Sequence, residues 1–457
     1  MPQLHKKKLY GWAKSDFSKC NYLETSNIDT IEEIFKIANS QKKKISFRGG
    51  GRSYGDNALN KNNIVLKYNA KKNIINFYET KGEIIISGSC RLLDLFDYII
   101  PRGWTLHVSP ASQYITIAGA ISNNVHGKNC PSKGYFGDYV EEIEIYTPDK
   151  GLVNCSKNKN QDLFYAVISG LGSFGIILKA KIRLRKIKTV IINTKVTYVK
   201  SLDEAIDKSK NLGKEYEYNI GSLNFTRFNK NFNDGKIYSS NFSDKVDLKI
   251  NNAKANLFIY LINSGLLLNK LPLIDNVIEF FFSKITSKNP SNKKKFYEED
   301  YFSMNFLGDK YLPFYNNFFR NGFVEYQAIF DSENYLKAIM EIEDLIKKNG
   351  YSSYMSSLKI YKAANPKYIL GLNKNGYCIT LDIPFEKNKK FQKTTRLVNE
   401  ITIKYNGQVY LGKTPCLNNE EFKEMYKNHK KFEELKNLYD KNFLMESDMT
   451  NRLFRTN

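Results

Sequence analysis

Apolar and polar residues follow two rhythms along this chain, one of period near 3.6 and one of period 2. Ile31, Ile34, Phe35 and Ala38 recur at helical spacing and predict a helix over 29–40, ahead of the short apolar strand Lys44-Ile45-Ser46-Phe47. Strands are expected at 64–66 and 83–87, then a helix over 91–100 capped by Ser89. A hairpin joins 140–146 to 152–154 through the turn Pro148-Asp149-Lys150-Gly151. A short helix is expected over 162–168, leading into the glycine cluster 170–175. From 176 to 185 the alternation is strict: Leu178, Ala180, Ile182 and Leu184 share one face and basic residues the other. That is the pattern of a half-buried antiparallel strand. The texture changes after Lys188. Strands near 190–199, 218–228, 322–330, 356–361 and 377–383, with helices near 201–212, 333–348 and 390–405, predict an antiparallel sheet covered by helices. A strand at 408–411 and a helix capped near Asn418 and Asn419 follow. The fold class expected is α+β, divided into 1–188, 189–407 and a returning segment 408–457, without internal repeats.

Two glycine-rich segments, RGGGRSYGDN (48–57) and AGAISNNVHGKN (118–129), read as two halves of one pocket. Glycine lets backbone N–H groups approach an anion and adopt φ > 0, so the first segment suits a pyrophosphate. A dinucleotide fingerprint of the Rossmann kind does not fit. Tyr54 stands where its third small residue is required, and an asparagine-rich stretch, not a helix, follows the loop.

The formal charge of +23 invites a polyanionic partner, but the lysines are scattered among asparagine, isoleucine and tyrosine, as an AT-rich genome also produces. No nucleic-acid-binding motif accompanies them, so nucleic acid is not expected as a partner. Six dispersed cysteines without a C-x-x-C pair, and four histidines, give no support for a disulfide framework or for a metal site. The basic start has no apolar run behind it, so no signal peptide is read and a cytoplasmic location is expected. The apolar stretch 257–282 is broken by Asn263, Lys270, Pro272, Asp275 and Glu279, too often to span a bilayer. It reads either as a buried helix pair or as a surface patch for a lipid, with Lys293, Lys294 and Lys295 beyond it suited to anionic headgroups.

Taken together, RGGGRSYGDNALN, PASQYITIAGAISNNVHGKN (110–129), FGDYVEEIEIYTPDKG, GLGSFGII, GFVEYQ, CITLDIPF, GQVYLGK and ESDMTNRL resemble the flavoproteins of the vanillyl-alcohol oxidase and para-cresol methylhydroxylase (PCMH) superfamily, in particular its decaprenylphosphoryl-ribose 2′-oxidase branch. The resemblance implies a PCMH-type FAD-binding domain of two α+β subdomains, an inserted substrate domain, and FAD as cofactor. Many relatives link FAD through a histidine at the position of Arg52; arginine has no free nucleophilic nitrogen at neutral pH, so non-covalent FAD is implied.

By the same resemblance, Phe47, Arg48, Gly49, Gly50, Gly51, Arg52, Ser53, Tyr54, Gly55, Asp56 and Asn57 hold the pyrophosphate. Ala111, Thr116, Ile117, Ala118, Gly119, Asn123, Asn124, Val125 and His126 line the flavin, and Ile177 and Tyr410 complete the pocket. Lys413 matches the active-site lysine, His126 is a proton acceptor or substrate contact, and Tyr54 joins them as a catalytic candidate. Gln327, Lys359 and Asp382 match substrate positions, Lys359 being suited to a phosphodiester. Three positions depart from or flank the pattern: Thr380 replaces a cysteine, Cys378 lies two residues earlier, and Glu325 replaces a glutamine. The reaction implied is oxidation of a secondary hydroxyl of a sugar, carried on a polyprenyl phosphate, to a keto sugar. A short-chain reductase partner and peripheral contact with the inner face of the membrane go with it. A soluble aldonolactone or alditol oxidase, and a basic nucleic-acid-binding protein without flavin, are the alternatives.

Overall fold

The computed structural model describes residues 2–229, 234–249, 272–288, 295–413 and 416–455. The chain opens on two strands that the apolar pattern does not announce, His5–Tyr10 and Phe17–Thr25. They pair antiparallel; Phe17–Thr25 then runs parallel to Ile64–Tyr68, which runs parallel to Ile45–Phe47. His5–Tyr10 is an edge strand with Leu9 alone buried, so it carries no period-2 signal. Helix Ile28–Ser40 buries Ile31, Ile34, Phe35 and Ala38, and the Asn27 side chain caps it by accepting the Asp29 N–H.

A second sheet has the order Ile74–Tyr78, Glu83–Ser87, Ile176–Arg183, Val140–Thr147, Gly151–Ser156, all antiparallel. Ala180 and Ile182 are buried between basic neighbours, as the alternation predicts. Arg91, not the expected Ser89, holds the N-cap position of helix Leu92–Ile99 without a side-chain cap, and the Leu92 and Leu93 N–H groups donate to the Ile115 and Gln113 carbonyls. The Ser89 hydroxyl instead accepts the Ala70 N–H at 2.9 Å and so binds a loop to the sheet. Ser89 is one residue pair too early to reach the helix's free N–H groups.

The third sheet has eight antiparallel strands in the order Phe296–Asp300, Ile191–Val199, Gly235–Phe242, Tyr218–Leu223, Ser356–Tyr361, Gly376–Pro384, Phe323–Phe330, Gln408–Val409. Every residue of Phe323–Phe330 is buried, because the strand is covered on both faces. Helix Tyr335–Lys348 packs on one face; Tyr135 and His126 of the N-terminal unit meet the other, through Tyr361 and Gln327. The strand expected at 408–411 stops at Val409, although the Tyr410 N–H still donates to the Gln327 carbonyl at 2.9 Å. Of the apolar stretch 257–282, residues 257–271 lie outside the described residues, as do Lys293 and Lys294. The rest belongs to helix Pro272–Ser287, which buries Ile278 and Phe282 and exposes Val277, Phe280, Phe281 and Ile285.

The C-terminal segment folds back onto the N-terminal unit. Ile45 and Leu444 are joined through backbone, Phe432 packs edge-on against Phe174 at 5.0 Å, and Arg452 clasps Asp56 at 2.8–3.1 Å. Lys436, buried, donates to the Asp440 carboxylate and to the Ser173 and Met445 carbonyls at 2.7–2.8 Å. Removing one member of such a buried pair leaves the other charge uncompensated. Lys436→Ala is expected to destabilise the fold by about 3–5 kcal/mol, with Lys436→Arg losing less, measured by urea unfolding.

Candidate active site

The glycine loop lies flat against the segment 114–116. A Cβ on Gly49 would stand 2.3 Å from Thr116 Oγ1, and one on Gly50 would stand 2.1 Å from the Tyr114 carbonyl. Gly51 has φ +66°, in the region that side chains disfavour. Thr116 in turn starts the short helix Ile117–Ser122, its hydroxyl accepting the Gly119 N–H at 3.2 Å. Asn123 joins three elements: Asn57 donates to its Oδ1 at 2.8 Å, its own Nδ2 donates to the Gly119 carbonyl, and Tyr410 donates to its carbonyl at 2.8 Å.

Between these elements runs a cleft. Phe47, Gly49, Ser53 and Asn57 form one side; Thr116, Ala118, Gly119 and Asn123 form the floor. The opposite wall is made by Gly172, Ser173 and Met445–Ser447, which the sequence reading did not place in the site. The third glycine cluster and the ESDMTNRL run were visible signals for it. Ser46 and Ser173 line this cleft with buried hydroxyls that have no partner. A backbone-walled groove with spare polar atoms fits the elongated, hydrogen-bonding FAD.

Several expected cofactor residues turn to protein instead. Arg48 donates to the Tyr10 carbonyl at 3.0 Å, Asp56 is taken by Arg452, and Ile117 lies in the core. Asn124, at φ +41°, accepts the Gly137 N–H with its Oδ1; Val125 and Gly55 hold backbone positions. Ile177 is packed against Gly88, where a Cβ would meet its carbonyl at 2.1 Å, and Ala111 is exposed. Arg52 stacks on the Tyr114 ring at 4.7 Å.

Beside the cleft, three neighbouring strands of the large sheet bring the other residues together. Glu325 faces Asp382 and Gln327 faces Thr380 across one ladder; Lys359 faces Cys378 across the next. Lys413 reaches Glu325 from the loop after Gln408–Val409, at 3.0 and 3.2 Å to the two carboxylate oxygens, and sits 3.9 Å over the Tyr54 ring. Gln327 Nε2 lies 3.2 Å from His126 Nε2 and donates to Tyr361 Oη at 3.1 Å. With the amide nitrogen on that side, His126 Nε2 accepts and Nδ1 carries the hydrogen.

His126 Nδ1, Gln327 Oε1 and Asp382 Oδ1 are all buried without a partner. Lys359 forms no ion pair among the described residues, and burial, then Lys413, lower its pKa. Burial, then Lys359 and Lys413, hold the His126 imidazole well below its ordinary value. Burial pushes the Cys378 thiol up to about 12, so it is no nucleophile. The Thr380 hydroxyl is engaged by Ser357 Oγ at 2.5 Å. Sequence reasoning missed Tyr361, which shares a strand face with Lys359, and Lys128 in the HGKN run. Lys128 donates to the Met304 carbonyl, and burial, then Lys359, bring its pKa down to about 8. Its neighbour His126 was the available signal.

Residues 21–156 match the family model described as FAD binding domain. This is an FAD-dependent oxidoreductase with an FAD-binding domain of the PCMH type. Over 98% of its length and 97% of the relative's, it is 26% identical to the decaprenylphosphoryl-β-D-ribose oxidase of Mycolicibacterium smegmatis. The mouse L-gulonolactone oxidase is 23% identical over 44% of this chain and 46% of its own. Cytokinin dehydrogenase 3 of Arabidopsis thaliana is 30% identical over 35% of this chain and 31% of its own. The oxidoreductase's α+β fold and the FAD expected from its glycine segments agree with these likenesses.

Two outcomes follow. Overpacking the loop with Gly50→Ala should cost about 1–3 kcal/mol of FAD binding, or roughly 5- to 150-fold in affinity, read by fluorescence titration of the apoprotein. His126 binds its proton more readily unfolded than folded, so stability should fall as pH drops below its ordinary 6.5. Thermal melts between pH 7.5 and 5 should show a shallower decline in His126→Gln.

Proposed function

We propose that this oxidoreductase oxidises a secondary hydroxyl of a sugar carried on a polyprenyl phosphate, yielding the keto sugar. The observation that carries the reading is the set of unpartnered buried polar atoms, His126 Nδ1, Gln327 Oε1 and Asp382 Oδ1, gathered around the Lys413–Glu325 pair. A hydroxyl-rich ring satisfies such atoms, whereas an apolar ligand leaves them stranded. Bound FAD supplies the hydride acceptor. Lys413 polarises the reacting oxygen, and the hydroxyl proton passes to its partner Glu325. His126 Nδ1–H and Gln327 orient the ring, Tyr54 bounds the site beneath Lys413, and Lys359 takes the phosphodiester anion.

Arg52 sits at the position of the linking histidine in relatives and is occupied with Tyr114, which supports non-covalent FAD. The exposed Val277, Phe280, Phe281 and Ile285, with Lys284 beside Phe280, support a lipid-linked substrate and peripheral membrane contact. The described residues contain no helix long and apolar enough to cross a membrane. The reading divides the chain into an FAD domain, 1–188 with 408–457, and a substrate domain, 189–407. A keto product calls for a reductase partner of the short-chain type if the end product is an epimer.

Acid precipitation of purified protein should release a yellow supernatant; flavin left in the pellet would mean a covalent link. Anaerobic mixing with decaprenylphosphoryl-ribose should bleach the flavin, and mixing with L-gulono-1,4-lactone should not. Bleaching by the lactone alone would establish the soluble aldonolactone oxidase reading instead. Lys413→Met should slow that bleaching by about 10²–10⁴-fold with little loss of bound FAD.

A further inference from the structure

Two carboxyl groups face each other beside the cleft, and the one ammonium that forms an ion pair there is given to Glu325. Glu325 and Asp382 are directly opposed in the antiparallel ladder, and both are only 7% exposed. Directly opposed side chains in such a ladder have Cβ atoms about 4.5–5.5 Å apart. Lys413 spends its charge on Glu325, bridging both of its oxygens. Asp382 receives no ion pair among the described residues, and its Oδ1 has no hydrogen-bond partner. Around the two carboxyls stand Tyr54 from the glycine loop, Tyr315 from the turn Tyr315–Phe318, Lys413 from the C-terminal loop, and Lys359 from the neighbouring strand, which feels the Glu325 charge. Lys359 makes no ion pair with Asp382 among the described residues, and the tyrosines carry no positive charge. Two like charges buried at this separation do not both ionise.

We propose that Glu325 and Asp382 hold one proton between them, with Glu325 the ionised partner of Lys413 and Asp382 a neutral acid that donates a hydrogen bond to a substrate oxygen. The inference rests on the sugar-oxidising reading of this cavity and deepens it. Glu325, the proton acceptor of the proposed reaction, then also fixes Lys413 and keeps the proton on Asp382. The arrangement also sets the polarity of binding. An anionic substituent is repelled at the carboxyl end and directed toward Lys359, while the carboxyl end takes neutral hydroxyls. Burial and the Glu325 charge together push the Asp382 carboxyl well above its ordinary range, in keeping with this geometry.

The test is infrared spectroscopy of the holoenzyme in H2O and D2O, without substrate. A carboxylic-acid C=O band that shifts on deuteration should be present in the wild type at pH 7 and missing in Asp382→Asn. In Glu325→Gln, whose lysine is released to Asp382, the same band should titrate away at least about one pH unit lower, a tenfold loss of proton affinity. A wild-type spectrum that Asp382→Asn leaves unchanged, or a midpoint that Glu325→Gln does not move, would overturn the proposal. Should Asp382→Asn fail to fold, the titration in Glu325→Gln decides by itself. Bound flavin, read in the same samples, tests the cofactor reading separately: a colourless protein counts against the oxidoreductase site and not against the shared proton.

Discussion

The close approach of the glycine loop to the segment 114–116 is the contact on which the rest of the site depends. Gly49 and Gly50 leave no room for a Cβ against Thr116 and Tyr114. That contact fixes where helix Ile117–Ser122 starts, and so where Asn123 and His126 emerge. Asn123 is bound by Asn57 on one side and Tyr410 on the other, which brings the end of the large sheet to the cleft. Tyr410 precedes Lys413 by three residues. The cleft and the side-chain cluster beside it are therefore built from one packing constraint, and a change of an ångström in the loop moves both.

Charge is handled differently in the two halves. Where the C-terminal segment meets the N-terminal unit, charges are partnered: Lys436 has three acceptors, and Arg452 and Asp56 hold each other. Beside the cleft, polar groups are left short. His126 Nδ1, Gln327 Oε1 and Asp382 Oδ1 have no partner, and every residue of strand Phe323–Phe330 there is buried. Unmet capacity of this kind costs stability in the empty protein and is recovered when a polar ligand enters, the ordinary trade between stability and activity.

Much of this was legible because the informative segments obey local chemistry. Helix Ile28–Ser40, the hairpin Val140–Thr147 with Gly151–Ser156, and strand Ser356–Tyr361 follow directly from periodicity and turn residues. The glycine segments pointed to the walls of the cleft, and the resemblance pointed to Lys413, His126 and Gln327, which the fold gathers beside it. What stayed hidden was set by tertiary context. His5–Tyr10 buries Leu9 alone because it edges a sheet, and Ser89 binds a loop where it was read as a cap. Tyr361 carries no local mark and Lys128 only its nearness to His126; the meeting of the HGKN run with strand Ser356–Tyr361 makes them neighbours of the site. The opposed pair Glu325 and Asp382 is invisible until the register of two strands is known.

The wall formed by Met445–Ser447 has a consequence for how the protein is made. The residues that clasp across the groove, Asp56 and Arg452, are 396 positions apart in the chain. During synthesis the glycine loop leaves the ribosome long before the segment that closes it, and the large sheet must assemble in between. Contacts of such sequence separation form late in folding. A growing chain therefore displays an open half-groove through most of its translation. The cleft can close only in the last stage of maturation, after the polypeptide that walls it has been almost completely made.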